Sequence, residues 1–298
     1  MSGKLKEVRE RIKSVVSTQQ ITKAMKMVSA AKLRKAQTAI TEMRPYADRL
    51  DKMLKNILAN LDSDANTSFG IHREIKSVAV VVITSSRGLC GAFNTNIIKT
   101  AIARIEGDYK AQLEAGKVEV ICIGKKGFDI LKKRYKKEAV NTEFLHLYAD
   151  LSFENIAAVS QYLMDSFQNG KFDRVDVCYS QFKNAAMQFP IAAQYLPVEK
   201  PEIAHESEMS KQKVDYIFEP GKLELLEELV PSILQTTFQK FVLDTHASEH
   251  GARMTAMDKA SENAEELIKD LKINYNKARQ EAITKELSEI VGGAAALG

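Results

Sequence analysis

The sequence predicts an α+β chain in which two long terminal helices wind into an antiparallel coiled coil around a central α/β domain. Three observations lead there. From Leu226 to Ala282, alternate steps of three and four residues meet apolar side chains at thirteen of seventeen positions, well above what a 45% hydrophobic composition supplies by chance. A seam spaced at 3.5 residues over so many turns marks a left-handed coiled coil rather than a helix on a globular core. The same stepping from Leu5 to Leu61 again gives thirteen of seventeen, so each arm supplies the partner that the other needs. Between the arms, short β-branched runs alternate with helical spacing, the pattern of an α/β layer.

The first arm runs from Gly3 to Leu61. Its four failing seam positions, Gln19, Thr22, Lys26 and Ser29, are consecutive. Over that window the apolar residues stand one place aside, at Ile21, Met25 and Val28, so the greasy stripe turns from the seam toward another protein. Pro45 removes the hydrogen bond to Thr41 and predicts a kink or local break. Asp62–Gly70 is a loop by composition. Ser77–Thr84 is a buried strand, and Ser85–Asn94 is a turn that needs Gly88 and Gly91. A helix follows over Phe93–Ala115. Val118–Gly124 is a strand, Lys126–Tyr135 a helix, Ala139–Phe144 a strand and Leu151–Gln168 a helix. Arg174–Phe182 and Met187–Leu196 close the series as an antiparallel hairpin. Pro197–Lys213 is a polar surface loop, and the second arm starts at Leu223 with Pro231 in a first turn or a kink. The expected division is 1–61 and 215–298 for the arms and 75–198 for a Rossmann-like α/β domain.

Net charge is only +4 over 298 residues, yet residues 1–37 hold ten Lys and Arg against Glu7 and Glu10. A basic helix of this kind suits nucleic acid, a membrane surface or acidic protein loops, and its plain alternative is a solvated face. No aromatic platform accompanies it, which weakens the nucleic-acid reading. Cys90, Cys122 and Cys178 are scattered and odd in number, as expected of buried thiols in a reducing compartment. The N-terminus has no apolar signal core, and no apolar run approaches a membrane span.

Candidate chemistry is sparse. Ser85–Gly91 lies between a strand and a helix, where nucleotide folds cradle phosphate, but it lacks both Walker and GxGxxG patterns. His246-Ala-Ser-Glu249-His250 matches the H-x-x-E-H pattern of a zinc peptidase class, yet it sits inside the coiled-coil seam and lacks a third ligand. A packed or partner-facing histidine is the plain reading. No catalytic, cofactor-binding or metal residue is expected. After Glu289 the chain carries no side-chain charge, and Ile290, Val291 and Leu297 form a tip suited to an apolar socket. Just before it, Gln280 and Thr284 share a helical face beside Arg279.

Ile21–Gln37 (ITKAMKMVSAAKLRKAQ), Arg87–Gly91 (RGLCG) and the run from Ser248 (SEHGARMTAMDKASENA…INYNKARQEAITKELSEIVGGAAAL) resemble the gamma subunits of F-type ATP synthases of the bacterial type. His250-Gly251 stands where that family's pattern usually has Gln-Ala. The resemblance implies a non-catalytic rotor shaft. It would turn inside a ring of three alpha and three beta subunits and rest on the epsilon subunit and the c-ring of the membrane sector, at the cytoplasmic face of the bacterial inner membrane. It would couple proton flow to ATP synthesis or hydrolysis. It further implies that Arg279, Gln280 and Thr284 meet a beta-subunit loop, that Lys23, Met25 and Lys26 lie near an acidic beta-subunit lever, and that Ile290–Leu297 enters an apolar bearing.

Overall fold

The computed structural model describes residues 3–59, 69–70, 73–198 and 222–295. In chain order the main elements are α1 (Gly3–Ala59), β1 (Val78–Ile83), α2 (Phe93–Gly107), α3 (Lys110–Glu114), β2 (Val118–Ile123), α4 (Lys125–Arg134), β3 (Val140–Asn141), α5 (Phe153–Gln168), β4 (Arg174–Phe182), β5 (Gln188–Leu196) and α6 (Lys222–Ala295). They fall into two compact units, one of Met1–Ala31 with Arg253–Gly298 and the other of Lys32–Ala252.

In the first unit the two long helices pair antiparallel. Lys4 meets Glu281 at 3.1 Å, Arg9 meets the Tyr275 hydroxyl at 2.9 Å, and Lys26 meets Asp258 at 2.5 Å. One index rises as the other falls, nearly one for one. Apart from Arg253, the buried positions are those of the expected seam: Leu5, Thr22 and Ser29 on α1, and Met257, Ser261, Ala264, Ile268, Leu271 and Ala278 on α6. Where the apolar stepping fails, the seam persists with polar residues. The Thr22 and Ser261 hydroxyls share a hydrogen bond of 2.7 Å, and Gln19 Nε2 donates to the Ser261 carbonyl at 3.4 Å.

The second unit holds a five-stranded sheet in the order β3-β2-β1-β4-β5. Its first four strands run parallel, and β5 returns antiparallel beside β4. Every β1 residue is buried, as in a central parallel strand covered on both faces. One face carries α5 and the first half of α6, with Ile156, Leu163, Phe167, Leu234, Phe238 and Val242 in one apolar cluster. The other carries Ile97, Ala101 and Ile105 of α2 with Leu131 of α4.

Several boundaries differ from the sequence reading. The helix expected over Phe93–Ala115 breaks at Asp108–Tyr109, after the weak helix former Gly107. There the Tyr109 hydroxyl reaches the wholly buried carboxylate of Asp176 at 2.6 Å, joined by Arg104 Nε at 2.6 Å. β3 stops at Asn141, because the Asn141 carboxamide oxygen accepts the Glu143 N–H at 2.8 Å and turns the chain. α1 runs through Pro45 unbroken; Thr41 and Arg44–Tyr46 are exposed, so water serves the carbonyl that proline cannot. Pro231 lies in the third turn of α6, not the first, flanked by Val230 and Leu234 in the core cluster. In the turn after β1, Gly91 and Leu89 adopt left-handed backbone (φ 59° and 62°), and Gly88 does not. The expected loop at 62–68, the Leu61, Tyr216–Gly221 and Leu297 positions, and most of Pro197–Lys213 lie outside the described residues.

The largest difference concerns α6. A single seam was expected along its length, but Phe241–Thr245 and Ala247–His250 are buried on every side. The helix crosses the carboxyl end of β4. Thr245 Oγ1 accepts the Ser180 N–H at 3.3 Å, and Ser248 Oγ donates to the Ser180 carbonyl at 3.1 Å. Gly251 permits the approach, since a Cβ there would lie 3.2 Å from Ala185 Cα.

Candidate partner-contact surfaces

The crevice at the carboxyl ends of the strands, where open α/β sheets bind ligands, is filled by the protein itself. At the start of α4, the Gly127 N–H donates to Thr84 Oγ1 at 2.8 Å and the Lys126 N–H to the Ser85 carbonyl at 3.1 Å. Those are the donors a phosphate would need. Gly124 (φ 91°) allows this closure, because a Cβ would stand 2.0 Å from the Thr84 carbonyl oxygen. In the turn after β1, Ser85 Oγ donates to the Arg87 carbonyl at 2.6 Å, and Asn94 braces Ser85 and Cys90. Past β4 the space belongs to α6. The Ser85–Gly91 turn therefore serves packing.

His246 and His250 do meet, Nε2 to Nε2 at 3.1 Å, with ring planes at 84°. Among the described residues, no group of three or more His, Cys, Asp and Glu is placed to hold a metal ion, so the donor set of a zinc peptidase is not assembled. The buried thiols are inert in character, with burial pushing Cys122 and Cys178 up to about 12.

The paired helices of the first unit present open surface. Gln280 and Thr284 line one shallow groove with Lys277, Glu281 and Lys285. Arg279 is exposed but does not line it. Lys23 and Lys26 line a second groove with Met27, Asp258, Ser261, Glu262 and Glu265. Met25 is half-buried and lies outside that set, while Met27 is 67% exposed. Ile21 and Val28 are likewise exposed, as expected of a stripe that leaves the seam. The sequence reading missed Met27. One turn of helical arithmetic, placing residue 27 opposite the seam position 29, would have found it. Lys26 is tied to Asp258, so Lys23 is the more open cation of the pair. Near the end of α6, Ile283, Leu287, Ile290 and Val291 are all exposed. Their spacing of four, three and one puts them on one face, an apolar stripe with no cover among the described residues.

Long paired terminal helices, a mostly parallel sheet whose ligand crevice is filled by one of them, and an apolar helix end without cover among the described residues are the features of a protein built for contact with partners. The family model described as ATP synthase matches residues 4–297. The chain is 53% identical over 293 residues to the ATP synthase gamma chain of Cytophaga hutchinsonii and 53% identical to that of Christiangramia forsetii, covering 98% of both chains in each case. Among solved structures it is similar to a chain of the Euglena gracilis mitochondrial ATP synthase described as OSCP/F1/c-ring, with a TM-score of 0.67 and 22% identity over 100% of this chain and 95% of that one. A second Euglena gracilis structure, described as the rotor, gives 0.61 and 23% over 95% and 100%. At those identities the likeness is one of fold. The chain belongs to the ATP synthase gamma-chain family. No helix among the described residues is long and apolar enough to cross a membrane.

Proposed function

We propose that this chain is the central rotor shaft of a bacterial F-type ATP synthase and performs no catalysis itself. The arms, 1–61 and 215–298, act as the axle, and 75–198 acts as the foot. The axle turns inside three alpha and three beta subunits. The foot rests on the epsilon subunit and the c-ring, at the cytoplasmic face of the inner membrane. Proton flow drives the ring, and catalysis occurs on the other subunits.

The observation that carries this reading is the exposed apolar face Ile283, Leu287, Ile290 and Val291, on a chain of this family. A solvated helix end gains nothing from such a face, whereas a pivot in an apolar socket does. Arg279, Gln280 and Thr284 then meet a beta-subunit loop, and Lys23, Met25 and Lys26 face an acidic beta-subunit lever. One charge crossing 100 mV yields about 2.3 kcal/mol, so several must be summed for each ATP. The shaft therefore has to carry on the order of 10 kcal/mol without slipping. A chain without repeats shows a different face to each of three equivalent partners, and differential contact then holds their sites in different states.

The test is co-purification with tagged beta subunit, followed by ATPase and coupled-synthesis assays. Arg279→Ala with Gln280→Ala is expected to lower coupled synthesis, as is charge reversal of Lys23 and Lys26. Full coupling in both would overturn the contact assignments. Failure of the chain to join alpha and beta subunits would overturn the shaft.

A further inference from the structure

We propose that the outer face of α4, within the unit Lys32–Ala252, docks on the headgroups of an anionic lipid bilayer. From Lys125 to Lys136 the chain carries six cations, Lys125, Lys126, Lys132, Lys133, Arg134 and Lys136, against the single acid Asp129. α4 sinks Leu131 wholly into the core beside the sheet, with Phe128 packed against the same cluster. Positions 125, 129, 132, 133 and 136 then fall on the side away from Leu131, at spacings of four, three, one and three. Lys125, Lys132, Lys133 and Lys136 are exposed there. α4 starts at the carboxyl end of β2 and runs back toward the amino end of the parallel strand β3. Lys132, Lys133 and Lys136 therefore share one end of the sheet with Lys117, exposed just before β2. Glu138 is the next acid along the chain and opposes them with one charge.

These charges differ in what holds them. Arg134 is engaged by Glu106 through two hydrogen bonds of 2.6 and 2.7 Å. Lys132 reaches Asp129 at 3.1 Å. Lys125, Lys133 and Lys136 have no carboxylate within ion-pair distance among the described residues. Like charges crowded on one short helix repel each other, and an anionic surface relieves that repulsion. Two features select a lipid surface over an acidic protein. The open cations are lysines, each a point charge on a flexible stem, whereas the one arginine, whose fork suits a fixed carboxylate, is already paired. Headgroups that move laterally ask for charge and not for fixed geometry. Ile130, 46% exposed beside the lysines, is an apolar side chain that can enter the boundary between headgroups and acyl chains. The choice rests also on the proposed place of 75–198 as the foot beside the membrane sector.

The experiment follows sedimentation of the full chain with vesicles of phosphatidylcholine alone and of phosphatidylcholine mixed with phosphatidylglycerol. Binding is expected on the anionic vesicles only, and it should weaken as salt rises. Lys125→Gln, Lys133→Gln and Lys136→Gln together are expected to weaken it about one hundredfold, at roughly fivefold for each lysine near the surface. A matched control removes three cations from the other basic stretch, as Lys6→Gln, Arg11→Gln and Lys13→Gln, and is expected to keep most of the binding. All six side chains are exposed, and melting followed by circular dichroism verifies that both variants stay folded. Equal losses in the two triple variants would mean a general attraction of basic chain to anionic lipid and would overturn the site. So would absence of binding to the anionic vesicles, or preference of the same lysines for an acidic peptide such as polyglutamate. Vesicle binding does not depend on assembly. A chain that ignores vesicles yet joins alpha and beta subunits loses the lipid face and keeps the shaft, and the reverse outcome sinks the shaft and leaves the lipid face.

Discussion

The helix α6 lives two lives. Between Phe241 and Gly251 it is enclosed by the rest of its unit, and even its polar residues, Thr245 and Ser248, are spent on the backbone of β4. From Arg253 onward it is buried along one stripe only and meets a single partner helix. The contrast separates two tasks that one element performs. Enclosure fixes the helix in place, through Phe238, Val242 and Ala247 at no exposure and a glycine that admits the β4–β5 turn. One-sided pairing leaves most of the helix surface free to meet others, at the cost of a thin core.

The strongest way to break this contrast is to cut into each core. Phe238→Ala removes a wholly buried ring that packs against Tyr195 at 5.7 Å between centroids. It is expected to destabilise the second unit by about 3–5 kcal/mol. Leu271→Ala on the seam is expected to cost about 2 kcal/mol, the low end for a leucine, because water reaches a two-helix seam and fills the space. Urea unfolding followed by circular dichroism reads both. Equal losses would erase the distinction between a gripped and a paired helix.

A smaller effect sharpens the gripped half. Asp244 is buried, and desolvation raises its carboxyl to about 6, while Lys240 and Arg44 pull the other way. A raised carboxyl binds its proton more tightly in the folded chain than in the unfolded one, where it titrates near 3.9. Its contribution to stability is therefore complete below about pH 4 and is lost as pH rises through about 6. Asp244→Asn is expected to match the parent chain near pH 4 and to exceed it at pH 8. At about 1.4 kcal/mol for each tenfold change in proton affinity, the gain is at most roughly 2–3 kcal/mol. Melting temperatures across pH 4–8 decide the matter, and parallel curves for the two chains would mean that Asp244 is not strained.

How much of this was readable beforehand follows the same division. The paired half was legible nearly residue by residue, because a seam of period 3.5 is a local pattern, and Met257, Ser261, Ala264, Ile268 and Leu271 fall where the stepping puts them. Strands β1 and β2 were legible from their β-branched runs, and β4 and β5 as two closely spaced strands that form a hairpin. The enclosed half of α6 was not. Nothing in Phe241–His250 announces burial on all sides, since that depends on a sheet assembled from residues far back in the chain, between Val78 and Leu196. The break at Tyr109 was hidden for the same reason, because its cause is Asp176. On the contact surfaces the sequence named Lys23, Lys26, Gln280 and Thr284, which line grooves, but it preferred half-buried Met25 to exposed Met27. Periodicity fixed which residues leave the seam, and it took coordinates to rank how far each protrudes.

The smallest effect is expected where the paired half is most polar. Ser261 donates to the Met257 carbonyl at 2.8 Å and shares a hydrogen bond with Thr22 across the seam. Ser261→Ala leaves Thr22 Oγ1 with its local bond to the Gln19 carbonyl at 2.9 Å. The expected cost is therefore only about 0.5–1.5 kcal/mol. Adding Thr22→Val removes both polar partners and is expected to return stability to within about 0.5 kcal/mol of the parent chain, or above it. Lys26→Gln should cost under about 1 kcal/mol and less as salt rises, since both it and Asp258 are roughly half exposed. Such a seam, then, is polar without being stabilised by its polarity. If the double variant proves as stable as the parent chain while coupled synthesis falls, the Gln19–Ser29 stretch is polar for the sake of register and grip on its neighbours. A double variant that lost several kcal/mol would instead make the polar seam a source of stability, and the thin core of the paired half would need a different account.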